Sequence, residues 1–145
     1  DSLHKLIDAR EVLFDKEQPS LSDIELSASE RGLIFMETAL SVLGENTKDD
    51  LPEGLLDAAG SGFELLRLST AYPDEIQDDI IAGAKFQLQK AAGLFNGMSR
   101  KQRKTILPAF LIIGLSKKHS QNFDRARSLL FYQLQLLKMA FTGKL

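Results

Sequence analysis

The stretch Leu55–Tyr72, LLDAAGSGFELLRLSTAY, decides how this chain is read. Its apolar residues recur at intervals of three and four, the period of a helix with one buried face, and nothing in it alternates as a strand would. Pro52 stands where a first helical turn tolerates proline and Pro73 interrupts the pattern, so one helix is expected from Pro52 to about Tyr72. Gly60-Ser61-Gly62 lies inside it without the surroundings of a phosphate-binding loop. These glycines are expected to admit a neighbouring helix at close range. Glu53, Asp57 and Glu64, four and seven residues apart, fall on roughly one face. They are either ligands or a solvated stripe, and the stripe is the expectation.

Outward from this helix the same period continues. Leu3, Leu6, Ile7, Val12, Leu13 and Phe14 give a short opening helix, and Pro19–Ser22 reads as a turn. Ser22 or Asp23 is the expected cap of a second helix, whose apolar positions Ile24, Leu26, Leu33, Ile34, Met36, Leu40, Val42 and Leu43 run to Gly44. A polar loop, Glu45–Asp50, follows. After Pro73 a helix is expected from Asp74 to Asn96-Gly97, then one capped by Ser99 and reaching about Lys118 with Pro108 inside it, then a last one over Phe123–Phe141. No repeat, low-complexity tract or linker interrupts the series. The expected fold class is all-α, an antiparallel helical array, in one domain spanning 1–145.

At 145 residues the chain is long enough to bury a core of its own. Hydrophobic residues make up 43% and charged ones 26%, and no apolar run approaches the roughly 20 residues of a membrane-spanning helix. With no cysteine and only His4 and His119, thiolate and histidine-rich metal sites are excluded, and His119 reads first as a cation near a helix C-terminus. The net charge of −2 conceals a split: residues 1–79 carry 19 acids and 6 bases, residues 80–145 one acid, Asp124, and 12 bases. Attraction between the two halves is the plainer explanation; an acidic partner or an anionic surface facing the basic half is the other. Asp1, Asp8, Glu11, Asp15 and Glu17 make the opening segment too acidic for a transit or signal peptide, so any targeting sequence is expected to lie outside this chain.

Three features could carry function. Asp74, Glu75, Asp78 and Asp79 superficially fit magnesium binding, yet they fill a first helical turn, where the helix dipole alone favours carboxylates. Arg100, Lys101, Arg103 and Lys104 form a basic turn ahead of the apolar run Ile106–Leu115, an arrangement suited to an acidic protein surface or an anionic membrane. Nucleic acid is disfavoured, because no aromatic residue interleaves with the run and the overall pI is acidic. The last helix is apolar around most of its circumference; Phe131, Tyr132 and Phe141 are its candidate contact residues if it is not wholly buried.

The order of these segments resembles a known family. Leu6-Ile7-Asp8-Ala9-Arg10, Pro19-Ser20-Leu21-Ser22-Asp23-Ile24-Glu25 and Leu40-Ser41-Val42-Leu43-Gly44 look like the central part of the squalene and phytoene synthases. Ile106-Leu107-Pro108-Ala109-Phe110-Leu111, followed by Asn122-Phe123-Asp124, resembles that family's C-terminal helices. The likeness covers nearly all of this chain and about the later half of a full member. It implies the later half of the isoprenoid synthase fold, and that the chain is the C-terminal part of a longer protein.

Enzymes of the family use two Asp-rich motifs with magnesium to join isoprenoid diphosphates. The first would lie before Asp1. The second would fall on the Leu55–Tyr72 helix just after an arginine matching Arg67, but here Leu68-Ser69-Thr70-Ala71 follows, without an aspartate. Ala58–Arg67 and Pro108-Ala109-Phe110 are more similar to a non-catalytic branch linked to the assembly of mitochondrial complex I. The resemblance therefore implies a pseudoenzyme with no catalytic, cofactor-binding or metal-binding residues. Its expected role is a scaffold, assembly factor or accessory subunit of an inner-membrane respiratory complex, on the matrix side, working through protein–protein contacts. The alternatives are a C-terminal fragment or subunit of a prenyl-transferring synthase, and an isoprenoid-binding module without chemistry.

Overall fold

The computed structural model describes residues 19–43, 50–72 and 74–120, and the described residues are all helical apart from short turns. They form four α-helices: α1 (Leu21–Ser41), α2 (Leu55–Leu68), α3 (Asp74–Gly97) and α4 (Arg100–Ser120), with a 3-10 turn at Ser69–Ala71. The expected opening helix, Gly44 with most of the polar loop, and the last helix with Phe131, Tyr132 and Phe141 lie outside the described residues.

α1 begins earlier than expected, because its cap is Ser20 rather than Ser22 or Asp23. The Ser20 hydroxyl oxygen accepts the Asp23 backbone N–H at 3.2 Å, while Asp23 Oδ2 accepts from the Ser20 backbone N–H at 3.0 Å and its hydroxyl at 2.7 Å. This reciprocal box satisfies N–H groups that the first turn otherwise leaves without partners. Asp23 thus serves three residues into the helix. Ile24, Ala28, Gly32, Met36 and Leu40 are the buried row, at a strict spacing of four. Such a row slants across the helix instead of following its axis, which suits two helices crossing at an angle. Leu26, Leu33 and Val42, expected among the apolar positions, fall off this row and are exposed, Val42 at 82%.

α2 starts at Leu55, not Pro52. Gly54 takes φ +75°, a left-handed conformation that glycine adopts without penalty and that breaks any helix attempting to start before it. The helix gives way after Leu68 to the 3-10 turn, and Tyr72 is extended, as the residue before a proline prefers. Ten of its fourteen residues are buried, and they include Ala58, Ala59, Gly60, Ser61 and Gly62. α2 is the middle of a layer, with α1 on one side and α3 on the other.

The glycines decide how tight that layer is. A Cβ built on Gly32 would stand 2.1 Å from the Gly60 carbonyl carbon, and one on Gly60 would stand 2.2 Å from that of Gly32. Backbone therefore touches backbone where α1 crosses α2. A Cβ on Gly62 would come within 2.8 Å of Leu88 on α3. The close approach expected of Gly60-Ser61-Gly62 is present and serves two neighbours, one on each side of Ser61.

The helices alternate in direction. Ile24 and Ala28, early in α1, share a cluster with Leu65, Leu66 and Leu68, late in α2, and with Ile80 and Ala84 of α3. Met36 and Leu40, late in α1, join Leu55, Ala58 and Ala59, early in α2, together with Leu88, Ala91 and Phe95 of α3 and Ile106, Leu107 and Phe110 of α4. Phe95 and Phe110 meet with ring centroids 5.3 Å apart. Ser99 caps α4 as expected: its hydroxyl accepts the Gln102 N–H at 3.3 Å, and the Gln102 side-chain oxygen accepts the Ser99 N–H at 3.2 Å. Pro108 lies within the helix with its ring exposed. Among the described residues no helix is long and apolar enough to cross a membrane.

Candidate functional site

α2 is buried between two helices, so its carboxylates cannot form the solvated stripe expected of Glu53, Asp57 and Glu64. Only Glu53 is exposed. Asp57 Oδ1 accepts hydrogen bonds from the Ser29 hydroxyl of α1 at 2.6 Å and the Ser61 hydroxyl one turn on at 3.2 Å. Glu64, 7% exposed, holds Arg67 through Nε at 2.9 Å and Nη2 at 2.8 Å, and Arg31 of α1 lies 3.7 Å away. A carboxylate this buried keeps its charge at tolerable cost only with cations against it. Tyr72 packs nearby; burial pushes its phenol pKa above the usual 10.0, while the Arg31 charge acts in the opposite direction.

The segment after Arg67 is occupied in ending the helix. Leu68 is in the core, the Ser69 hydroxyl donates to the Leu66 carbonyl at 2.7 Å, and the Ser69 carbonyl accepts from the Gln77 side chain of α3 at 2.8 Å. Glu75, Asp78 and Asp79 of the first turn of α3 are exposed. Among the described residues no three carboxylates or imidazoles gather closely enough to hold a metal ion.

Open space with polar walls occurs above α2. A groove of about 280 Å³ runs between α1 and α3. Asp57, Ser61 and Leu65, on successive turns of α2, form its floor; Glu25 and Ser29 form one wall, Gly83, Phe86 and Gln87 the other. Glu25 leans across it, with Oε1 3.6 Å from where a Cβ on Gly83 would stand. Sequence reasoning singled out Asp57 and the glycines beside Ser61, but the wall residues had no signal. Glu25, Ser29 and Gln87 are ordinary helix-surface residues until the packing of α1 and α3 on α2 brings them together.

The basic turn divides in the structure. Arg100, Lys101 and Lys104 are exposed. Arg103 is partly buried and turns back, its Nη1 donating to the Asn96 carbonyl near the C-terminus of α3, where a cation is favoured. Lys101 lines a smaller cleft of about 210 Å³, together with Asp50, Met98, Gln102 and Thr105.

No family model, no curated protein and no solved structure matches this chain. The class that the fold defines is accordingly an all-α protein built on a glycine-mediated helix crossing.

Proposed function

We propose that this chain is a non-catalytic partner-binding protein, a scaffold, assembly factor or accessory subunit of a mitochondrial inner-membrane respiratory complex, with complex I foremost. The mitochondrial setting and the isoprenoid-synthase ancestry rest on the sequence resemblance. The single observation that supports a non-catalytic role is the use made of α2. The buried carboxylate Glu64 is held by Arg67 and Arg31, and the part-buried Asp57 is tied through Oδ1 to two serines. Diphosphate chemistry needs the opposite, carboxylates converging on magnesium with room for substrate beside them. The backbone contact of Gly32 with Gly60 also leaves no space between α1 and α2 for an isoprenoid chain.

The test is to solubilise mitochondrial membranes gently, separate native complexes by size and locate the chain by mass spectrometry. Stoichiometric migration with a large respiratory complex is expected for a subunit, and migration with immature intermediates for an assembly factor. A chain running alone would overturn the proposal and direct attention to prenyl-diphosphate turnover and to extraction of a bound isoprenoid.

A further inference from the structure

The groove above α2 contains acceptors without donors. Both serine bonds to Asp57 fall on Oδ1, and among the described residues Oδ2 has no partner. Glu25 likewise has no cation at salt-bridge distance among them. Gln87 lines the same wall, but its Oε1 is closed off from solvent and so out of reach of a ligand in the groove. No lysine, arginine or histidine lines the groove, so two carboxylates set its charge. Phe86, 64% exposed, presents a ring at its edge.

These features select a ligand. The uncompensated charge repels anions. A divalent cation needs several hard ligands converging, and no such group is present among the described residues. An organic cation fits, because it brings positive charge, donors and a face that an aromatic ring attracts. A guanidinium fits better than an ammonium: its planar fork carries five N–H donors, enough to reach carboxylates held on two different helices. The volume, about 280 Å³, lies below the usual range for drug-sized ligands and suits one side chain.

We propose that this groove receives an arginine side chain presented by a partner protein, with Glu25 and Asp57 Oδ2 meeting the guanidinium and Phe86 stacking on it. The guanidinium chemistry stands on the groove alone; a protein as its source rests on the partner-binding reading above.

The test is a titration of the whole chain, ¹⁵N-labelled and followed by NMR, with N-acetylarginine amide, N-acetyllysine amide and the uncharged isostere N-acetylcitrulline amide. Saturable shifts are expected at Ser29, Asp57, Ser61 and Gln87 with arginine, weaker ones with lysine, and affinity lower by about tenfold or more with citrulline, which lacks the charge. Glu25→Gln, on an exposed residue whose loss leaves the core intact, is expected to weaken arginine binding about fivefold or more. Equal binding of citrulline, no saturable shift in the groove, or an unchanged affinity in E25Q would overturn the guanidinium site. If arginine binds while the chain runs alone in native separation, the protein source fails and the guanidinium chemistry stands. If the chain migrates with a large complex while arginine leaves the groove untouched, only the groove inference fails.

Discussion

Replacing Gly60 with alanine tests the helix crossing on which the whole layer depends. The new Cβ would lie 2.2 Å from both the carbonyl carbon and the carbonyl oxygen of Gly32. Ordinary contact between carbons is about 3.5 Å or more, so α1 and α2 must part by over an ångström. No rotamer change relieves this, because the atoms in the way are backbone. A gap of that size forfeits about a quarter to a half of the dispersion energy across it, and overpacking alone costs about 1–3 kcal/mol. Ile24, Ala28, Met36 and Leu40 all lose contact together. We take about 3–5 kcal/mol for the clash, the range of large core truncations, less about 1 kcal/mol gained because alanine is the better helix former. The net loss is about 2–4 kcal/mol. In urea, with a slope of about 1–3 kcal/mol/M, the midpoint is expected to fall by on the order of 1–2 M. Circular dichroism at 222 nm follows the transition. Gly93→Ala is the control: nothing lies within 4 Å of a Cβ there, so that variant should gain about 0.5–1 kcal/mol from helix propensity. A G60A midpoint at or above that of the unmodified chain would refute the reasoning, as would an equal fall in G93A.

Other outcomes follow from the same geometry. The double variant G32A/G60A should lose less than the sum of its single variants, since the first Cβ opens the gap the second needs; a double-mutant cycle in urea measures the shortfall. Glu64→Ala should cost about 1–3 kcal/mol, the value of hydrogen bonds to charged groups, because Arg31 and Arg67 lose their shared carboxylate. Chemical denaturation at neutral pH checks it. Arg103→Ala should lower stability by about 0.5–1.5 kcal/mol through the uncapped Asn96 carbonyl, whereas Arg100→Ala, on an exposed residue, should change it by less than about 0.5 kcal/mol. Tyr72 should ionise later than an ordinary phenol, so the stability it contributes is intact below pH 10 and declines as pH rises above 10.0; ultraviolet titration at 295 nm of the chain and of Tyr72→Phe isolates its step.

How much could be read beforehand differs from helix to helix. Ser99 as a cap was legible because the serine and Gln102 stand three residues apart at the start of an apolar run, and a cap is a local bond. The cap of α1, expected at Ser22 or Asp23, lies two or three residues earlier: Ser20, Ser22 and Asp23 are all competent, and only formed backbone selects among them. The start of α2 was placed three residues early because Pro52 is permissive, while Gly54, in its left-handed conformation, is decisive. Leu26, Leu33 and Val42 were grouped with the core of α1 because each is apolar; their exposure follows from where the slanted row of Ile24, Ala28, Gly32, Met36 and Leu40 meets α2.

The candidate site was legible only in fragments. Asp57 and Glu64 were picked out by spacing, and the solvated stripe assigned to them was wrong because α2 has helices on both sides. By itself the sequence determined what local chemistry can determine: helical periodicity, the punctuation by Pro73 and Ser99, and glycines at 60 and 62 that permit close approach. Only the tertiary structure decided which helix would use each glycine, that Gly32 is the partner of Gly60, and that Ser29, Asp57 and Gln87 would share one groove. Period and caps are set within a turn or two of the chain, where sequence spacing equals spatial spacing. The groove joins residues 28 and 30 positions apart, and nothing in their spacing encodes that meeting until α1 and α3 both pack on α2.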